Sequence, residues 1–247
     1  MSEAKTVVAA DASDVNAEEL SSQLAMLSAG ERIADLANRF PGEVVASTSF
    51  GLQAAVMLKL LKDYAPEVPV VFIDTGYHFG ETYHYAVDLI ERLKLDVQVY
   101  RSQWSPAWQE AVHGKLWEQG EGGMEKYSLL NKVEPMNRAI EETKAKVWLS
   151  GLRRSHSKTR VERPFAEQQS KTIKAYPILD WGDEQVESYL SESGLPRHPL
   201  AEDYVTMGDW HSTKKRSEVD SAEETRFQGE KYECGLHLSS GVNDFQI

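Results

Sequence analysis

Short, uninterrupted apolar segments alternate along this chain with longer segments whose apolar residues recur at helical spacing. The short segments predict strands, and they lie at 42–48, 68–74, 95–101 and 146–151. The longer segments predict helices, and they lie at 52–62, 80–94 and 134–145. Strand 68–74 shows no polar alternation, which is typical of a parallel sheet covered on both faces. Strands alternating with helices in this order predict an α/β fold with a doubly wound, mostly parallel sheet.

The pattern differs at both ends of the chain. Segments 18–27 and 31–40 predict two helices with Gly30 between them. After residue 164 one clear helix remains, at 183–194, with Asp183 as its cap and Gly194 as its stop. Residues 212–232 are mostly charged and polar and have no apolar face, so a mobile segment is expected there. The predicted organisation is a flexible lead-in (1–20), an α/β domain (21–211) and a mobile C-terminal segment (212–247).

Composition limits the classes of function. A chain of 247 residues fits one large α/β domain or at most two small ones. Its net charge of −12 argues against a nucleic acid as partner. The apolar runs are too short to cross a membrane, and the first residues lack the features of a secretion signal. The single cysteine, Cys234, excludes an internal disulfide and any cysteine-held iron–sulfur cluster within one chain, so a cytoplasmic protein is expected.

Basic residues cluster in this acidic chain. Segment 151–163 contains Arg153, Arg154, Lys158, Arg160 and Arg163 with a single acid. Local cationic clusters suit a small anionic ligand better than a polymer, whereas the alternative is a solvated basic face.

Polar side chains follow the predicted strands where ligands bind in open α/β sheets, at the carboxyl ends. Ser47, Thr48, Ser49 and Gly51 come between the first strand and its helix, where backbone N–H groups attract an anion. Asp74 follows the second strand, and the arginine cluster follows the fourth. Each signal alone also fits an ordinary turn or cap. Together they predict a crevice for a nucleotide with several phosphate-like groups.

Cys234 lies in the polar sequence KYECGLH near the end of the chain. A thiolate is a strong nucleophile, so this cysteine is a candidate catalytic nucleophile. The alternative is an inert cysteine in the tail.

Several motifs in this order make the chain from about residue 30 onward resemble the assimilatory phosphoadenylyl-sulfate (PAPS) reductases. They are STSFG, DTGY, AWQEAVHGKLWEQG, NKVEPMNRA, GLRR, HPLAEDYVTMGDWHSTKK and ECGLH. The resemblance implies an adenine nucleotide α-hydrolase-like fold, related to the PP-loop pyrophosphatases. It also implies reduction of PAPS to sulfite, thioredoxin or glutaredoxin as the external reductant, and a homodimer. The adenylyl-sulfate (APS) reductases of the same family carry cluster-binding cysteines where this chain reads GDWHSTKK, so the resemblance implies the branch without a cluster or metal.

The resemblance also assigns roles to residues of this sequence. Cys234 would be the catalytic nucleophile, and His237 would favour its thiolate. The loop Ser47–Gly51 and Asp74 would hold adenosine and its ribose. Lys132, Arg153, Arg154 and Arg160 would meet the phosphates, and Arg226 the sulfonate. Trp104, Trp108 and Trp117 would line the pocket, or belong to the core.

Three other functions remain open on these residues. One is an APS reductase that lacks the cluster. Another is an ATP pyrophosphatase or adenylyltransferase of the same fold, although STSFGLQ replaces the Ser-Gly-Gly loop of those enzymes. The third is a nucleotide-binding sensor without chemistry.

Overall fold

A computed structural model describes residues 15–156, 160–169 and 172–219. Within these ranges one six-stranded sheet has the strand order β3-β2-β1-β4-β6-β5. All neighbouring strands run parallel except β5 and β6, which are antiparallel. The strands are β1 (Val44–Thr48), β2 (Val70–Ile73), β3 (Val97–Tyr100), β4 (Val147–Ser150), β5 (Ala166–Gln168) and β6 (Ile173–Ala175).

Helices precede, connect and follow these strands. They are α1 (Ala17–Ala25), α2 (Ala29–Arg39), α3 (Ala54–Tyr64), α4 (Gly80–Leu93), α5 (Pro106–His113), α6 (Gly120–Ser128), α7 (Glu134–Thr143) and α8 (Asp183–Ser193). A π-helical turn, Leu129–Val133, joins α6 directly to α7. Among the helices of the described ranges, none combines the length and the apolar character that crossing a bilayer requires.

The two faces of the sheet belong to two cores, which confirms the doubly wound architecture. Val44 and Ala46 pack into the larger core, which includes apolar residues of α2, α3, α4 and α8. Val45, between them, packs into the smaller core, together with Met136 and Ala139 of α7. Successive strand residues point to opposite faces, so an apolar residue at every position means that helices cover both faces.

The boundary between the first two helices differs from the prediction. Gly30 lies inside α2, not between α1 and α2. Ser28 begins α2 instead, because its side chain accepts from the Glu31 N–H while Glu31 accepts from the Ser28 N–H. Gly30 is buried against Tyr64, where an added Cβ would lie 2.3 Å from the ring. Packing against α3, and not a chain turn, therefore explains this glycine.

The cap predicted for α8 is also wrong. Gly182 is the N-cap, and the Asp183 side chain pairs with Arg153. Gly194 ends the helix as predicted, in the left-handed conformation at φ 62°. The short pair β5 and β6 had no sequence prediction, partly because Lys174 in β6 is fully buried beside the Trp148 ring.

Candidate functional site

A cavity of about 300 Å³ opens at the carboxyl edge of the sheet. Its wall includes Ser47 and Thr48 at the end of β1, Ile73 at the end of β2, and Ser150 and Gly151 at the end of β4. The chain leads from β1 to β2 on one side, whereas β4 lies on the other, so this is the switch point of the sheet. The expectation that these three strand ends share one crevice is confirmed.

The loop after β1 forms one wall of the cavity. Phe50 adopts φ 47°, which is uncommon for a residue with a side chain, and its N–H donates to Thr48 Oγ1 at 3.0 Å. Its ring is fully buried and packs edge-on against Phe72, which holds the loop in this conformation. Trp148 of β4 also lines the cavity, and its indole N–H donates to Ser47 Oγ at 2.7 Å. The loop leads directly into the N-terminus of α3, where N–H groups favour an anion.

Arg153 lies at the cavity wall after β4, although its side chain is 1% exposed. Its guanidinium donates to the Trp181 carbonyl at 3.2 Å, to Asp183 Oδ1 at 2.9 Å and to the Gln53 side chain. Burial lowers the pKa of this guanidinium, and the hydrogen bond to Asp183 opposes that shift. Arg160 lines the same cavity, so both arginines add positive charge to it.

Lys132 reaches the cavity from the π-helical turn. In this turn the Glu134 N–H bonds to the Leu129 carbonyl, five residues earlier. Asn131 fixes the turn to α5, because its amide exchanges hydrogen bonds of 2.8 and 2.9 Å with the Gln109 side chain. The Asn131 amide also donates to the Tyr127 carbonyl at 3.2 Å. Such widened turns are frequent at functional sites.

Asp209 is a fully buried carboxylate beside this lysine. Its Oδ2 lies 2.6 Å from Lys132 Nζ, and its Oδ1 accepts from the Thr75 hydroxyl at 2.6 Å. His78 Nδ1 is 3.9 Å from Oδ1. Burial alone raises the pKa of the Asp209 carboxyl, but the Lys132 ammonium, His78 and the hydrogen bonds outweigh it and hold the pKa well below its usual range. The cavity therefore contains a fixed carboxylate–ammonium pair.

The cavity brings together most of the binding residues expected from the sequence. Those that line it are Ser47, Thr48, Ser49, Gly51, Lys132, Arg153 and Arg160. Cys234, Arg226 and His237 lie outside the described residues.

Two expected binding residues are placed away from the cavity wall. Asp74 Oδ1 accepts from the Gly76 N–H at 2.9 Å and from the Tyr83 hydroxyl at 2.6 Å, as in a turn. The Arg154 guanidinium donates to the Arg163 carbonyl at 2.7 Å and lies over the Phe165 ring. In this structure both side chains are occupied by bonds that shape the loops around them.

The tryptophans expected near the pocket also lie elsewhere. Trp104 and Trp108 stack at 5.5 Å between ring centroids, and both are partly exposed. Trp117 stacks on His211 at 4.1 Å and contacts Tyr77 and Tyr127. These rings form aromatic clusters, and none of the three tryptophans lines the cavity.

Several cavity residues had no sequence prediction. They are Gln53, Thr75, His78, Trp148 and Asp209. Asp209 lies in GDWHSTKK, where no predicted strand or helix indicated that it returns to the sheet. It does so through a bridge between His78 and Asp209 and a hydrogen bond of 2.9 Å from the Trp210 N–H to the Tyr77 carbonyl. Within the described ranges, no group of three or more His, Cys, Asp or Glu side chains is arranged to hold a metal ion.

Comparison with known proteins agrees with this geometry. The family model described as "Phosphoadenosine phosphosulfate reductase domain" matches residues 43–215. A phosphoadenosine 5′-phosphosulfate reductase from Salmonella choleraesuis (strain SC-B67) is 50% identical over 220 residues, which cover 89% of this chain and 90% of that protein. One from Pectobacterium carotovorum is 52% identical over 216 residues, which cover 87% and 88%.

Solved structures extend the comparison. The PAPS reductase from Candida auris, in a phosphate complex, superposes with a TM-score of 0.69 at 31% identity, covering 79% of this chain and 94% of that one. An FMN adenylyltransferase from Candida glabrata superposes with a TM-score of 0.56 at 16% identity, covering 82% and 74%. The second likeness concerns the fold alone. The family model and the close relatives show that this chain belongs to the phosphoadenosine phosphosulfate reductase family.

Proposed function

We propose that this enzyme is an oxidoreductase that reduces 3′-phosphoadenylyl sulfate to sulfite and adenosine 3′,5′-bisphosphate in sulfate assimilation. The observation that carries the proposal is the cavity at the switch point, where Lys132, Arg153 and Arg160 collect positive charge in an acidic chain. Because the chain belongs to the reductase family, we assign PAPS as the anion that binds in this cavity and its reduction as the reaction.

The cavity suits the nucleotide part of such a substrate. The loop Ser47–Gly51 offers hydroxyl and N–H groups to the adenosine, and the N-terminus of α3 follows it. Lys132, Arg153 and Arg160 meet the phosphate groups, since ammonium and guanidinium groups form strong, charge-assisted bonds to phosphate oxygens. The description of the Candida auris relative as a phosphate complex supports an anion site in this fold.

Cys234 is the nucleophile of the proposed reaction. Its thiolate attacks the sulfur of PAPS, a bond forms between the two sulfur atoms, and the S–O bond to the nucleotide breaks. The electron pair of that bond leaves with the phosphate oxygen, so the products are adenosine 3′,5′-bisphosphate and S-sulfocysteine. Arg226 meets the sulfonate group, and the positive charge of Arg226 and His237 favours the thiolate.

A second thiol then completes the reaction. A thioredoxin or glutaredoxin thiolate attacks Cys234, and sulfite leaves with the electron pair of the S–S bond. The second thiol of the reductant resolves the mixed disulfide, so the reductant supplies two electrons and Cys234 is regenerated. Because the sequence contains no second cysteine, this thiol comes from another protein. The proposed enzyme is a cytoplasmic homodimer that uses neither an iron–sulfur cluster nor another bound cofactor.

Intact-mass analysis tests the intermediate. The full chain mixed with PAPS, without a reductant, should gain one sulfonate group on Cys234, and reduced thioredoxin should remove it as sulfite. The Cys234→Ser variant should bind adenosine 3′,5′-bisphosphate like the wild type but gain no sulfonate. Sulfite formation at the wild-type rate in this variant would refute the proposal.

A further inference from the structure

Asp209 connects three walls of the cavity. It accepts from Thr75 in the loop after β2, it pairs with Lys132 in the π-helical turn, and it ends the segment 205–209, which itself lines the cavity. The backbone on either side of it is held as well. The Trp210 N–H donates to the Tyr77 carbonyl, and the Ser212 N–H donates to the Asp209 carbonyl at 3.1 Å. The carboxylate therefore has little freedom to move.

The ion pair defines where the Lys132 charge lies. A lysine side chain is long and flexible, and an ammonium group offers three N–H donors. The 2.6 Å ion pair with Asp209 restricts the position of the nitrogen, and the lysine side chain is only 11% exposed. A buried ammonium without a counter-charge is costly, so removal of the carboxylate removes both the anchor and the compensation for burial.

We infer that Asp209 is a positioning residue, which holds the Lys132 ammonium at the point where it meets an anionic group of the bound nucleotide. The Asp209 carboxylate itself is directed to Thr75 and Lys132, so its effect on the ligand passes through the lysine. The inference rests on the proposed function in one respect, namely that the cavity binds the nucleotide.

The test is a double-mutant cycle on the affinity for adenosine 3′,5′-bisphosphate, measured by calorimetry with the full chain. Asp209→Asn keeps the size of the side chain and removes its charge, so the Kd should rise roughly tenfold. Lys132→Gln should weaken binding at least as much. When Lys132→Gln is already present, adding Asp209→Asn should change the Kd little, because the group that it positions is gone.

Asp180→Asn is the matched control, because it breaks another ion pair, at 2.7 Å from Arg32 and away from the cavity. This variant should leave the Kd at the wild-type value even if it is less stable. If Asp209→Asn does not fold, Thr75→Val removes the hydrogen bond that orients the carboxylate. Its effect should be smaller, roughly threefold, and should also disappear beside Lys132→Gln.

The outcomes separate the two proposals. If the wild type does not bind the nucleotide, the proposed function fails. If the wild type binds and Asp209→Asn binds equally well, only the positioning role is refuted. If Asp209→Asn weakens nucleotide binding equally in the wild type and in Lys132→Gln, the positioning role is also refuted. That result would mean that Asp209 has a general structural role.

Discussion

At the scale of single residues, the cavity depends on groups whose roles are visible only after folding. Residue type and position identified Ser47 and Arg153 as parts of an anion site, whereas Lys132 was predicted only from the family resemblance, and all three line the cavity. The sequence did not identify Asp209, because the ion pair with Lys132 joins residues that are far apart in the chain. A carboxylate after a strand, as at Asp74, predicted a ligand contact, yet its bonds to Gly76 and Tyr83 serve the local turn.

Gly76 provides a test at this scale. It lies at φ 75° beside Thr75, and an added Cβ would lie 2.5 Å from Pro106 Cγ. Gly76→Ala should therefore lower the free energy of unfolding by about 1–3 kcal/mol, measured by urea denaturation. Gly122→Ala is the control, because it lies inside α6 with nothing within 4 Å of the added Cβ. It should be neutral or more stable by up to about 1 kcal/mol, and equal destabilisation of both variants would contradict this account.

At the scale of elements, periodicity predicted the parallel strands and their connecting helices well. Strands β1, β2 and β4 consist of consecutive apolar or small residues, most of them buried between two layers, whereas the edge strand β3 contains Gln98 and is only partly buried. Strands β5 and β6 are three residues long, and Lys174 of β6 is buried against Trp148, so a charged residue masks a core position. The π-helical turn gave no signal either, because Leu129–Val133 has the composition of an ordinary helix.

His198 connects helix α4 to the cavity wall through hydrogen bonds. Its Nδ1 accepts from the Leu200 N–H at 3.1 Å, and its Nε2 lies 3.2 Å from Thr82 Oγ1 of α4. Thr82 in turn donates to Met207 Sδ, which lines the cavity. Burial lowers the pKa of His198 from 6.5 to about 4, and Glu81 opposes the shift. The folded state therefore favours the neutral ring, which can accept at Nδ1.

The sign of the pH effect follows from this shift. Because the folded pKa lies below the unfolded one, the stabilisation is complete above pH 6.5 and is lost as the pH falls toward 4. His198→Asn removes this titration, so the wild type should lose roughly 3 kcal/mol more than the variant between about pH 7 and pH 4. Urea denaturation of both proteins across this range measures the difference. Parallel stability curves would mean that His198 does not titrate in this way.

At the scale of the whole molecule, the chain is acidic overall but basic at the switch point of its sheet. The topology produces this contrast, because it gathers the ends of β1, β2 and β4 around residues from distant segments. The parallel sheet and both covering layers followed from the alternation of segments, whereas the order of the strands was seen only in the structure. The return of the segment 205–209 did not follow, because these five residues lie where the sequence predicted neither a strand nor a helix.

The positive charge predicts a preference between substrates. Adenosine with a 3′-phosphate should be favoured, so turnover with PAPS should exceed turnover with APS. Arg160→Gln, at the cavity wall, should lower kcat/KM for PAPS roughly tenfold or more and change that for APS less. Arg154→Gln is the control, because the Arg154 guanidinium lies over the Phe165 ring and does not line the cavity. This variant should leave the ratio of kcat/KM for PAPS to that for APS unchanged. A wild type that prefers APS would contradict the assignment.

The π-helical turn between α6 and α7 limits which changes in chain length the protein can accept at this point. Tyr127 and Lys132 are five positions apart, yet the lysine nitrogen lies 5.6 Å from the tyrosine ring centroid. In an ordinary helix, with about 3.6 residues per turn, side chains five apart diverge by roughly 140°. The position of the Lys132 ammonium therefore depends on the number of residues in the π-helical turn as much as on which residues they are. Loss of a single residue there would rotate the ammonium away from its carboxylate while leaving every side chain in the cavity chemically intact.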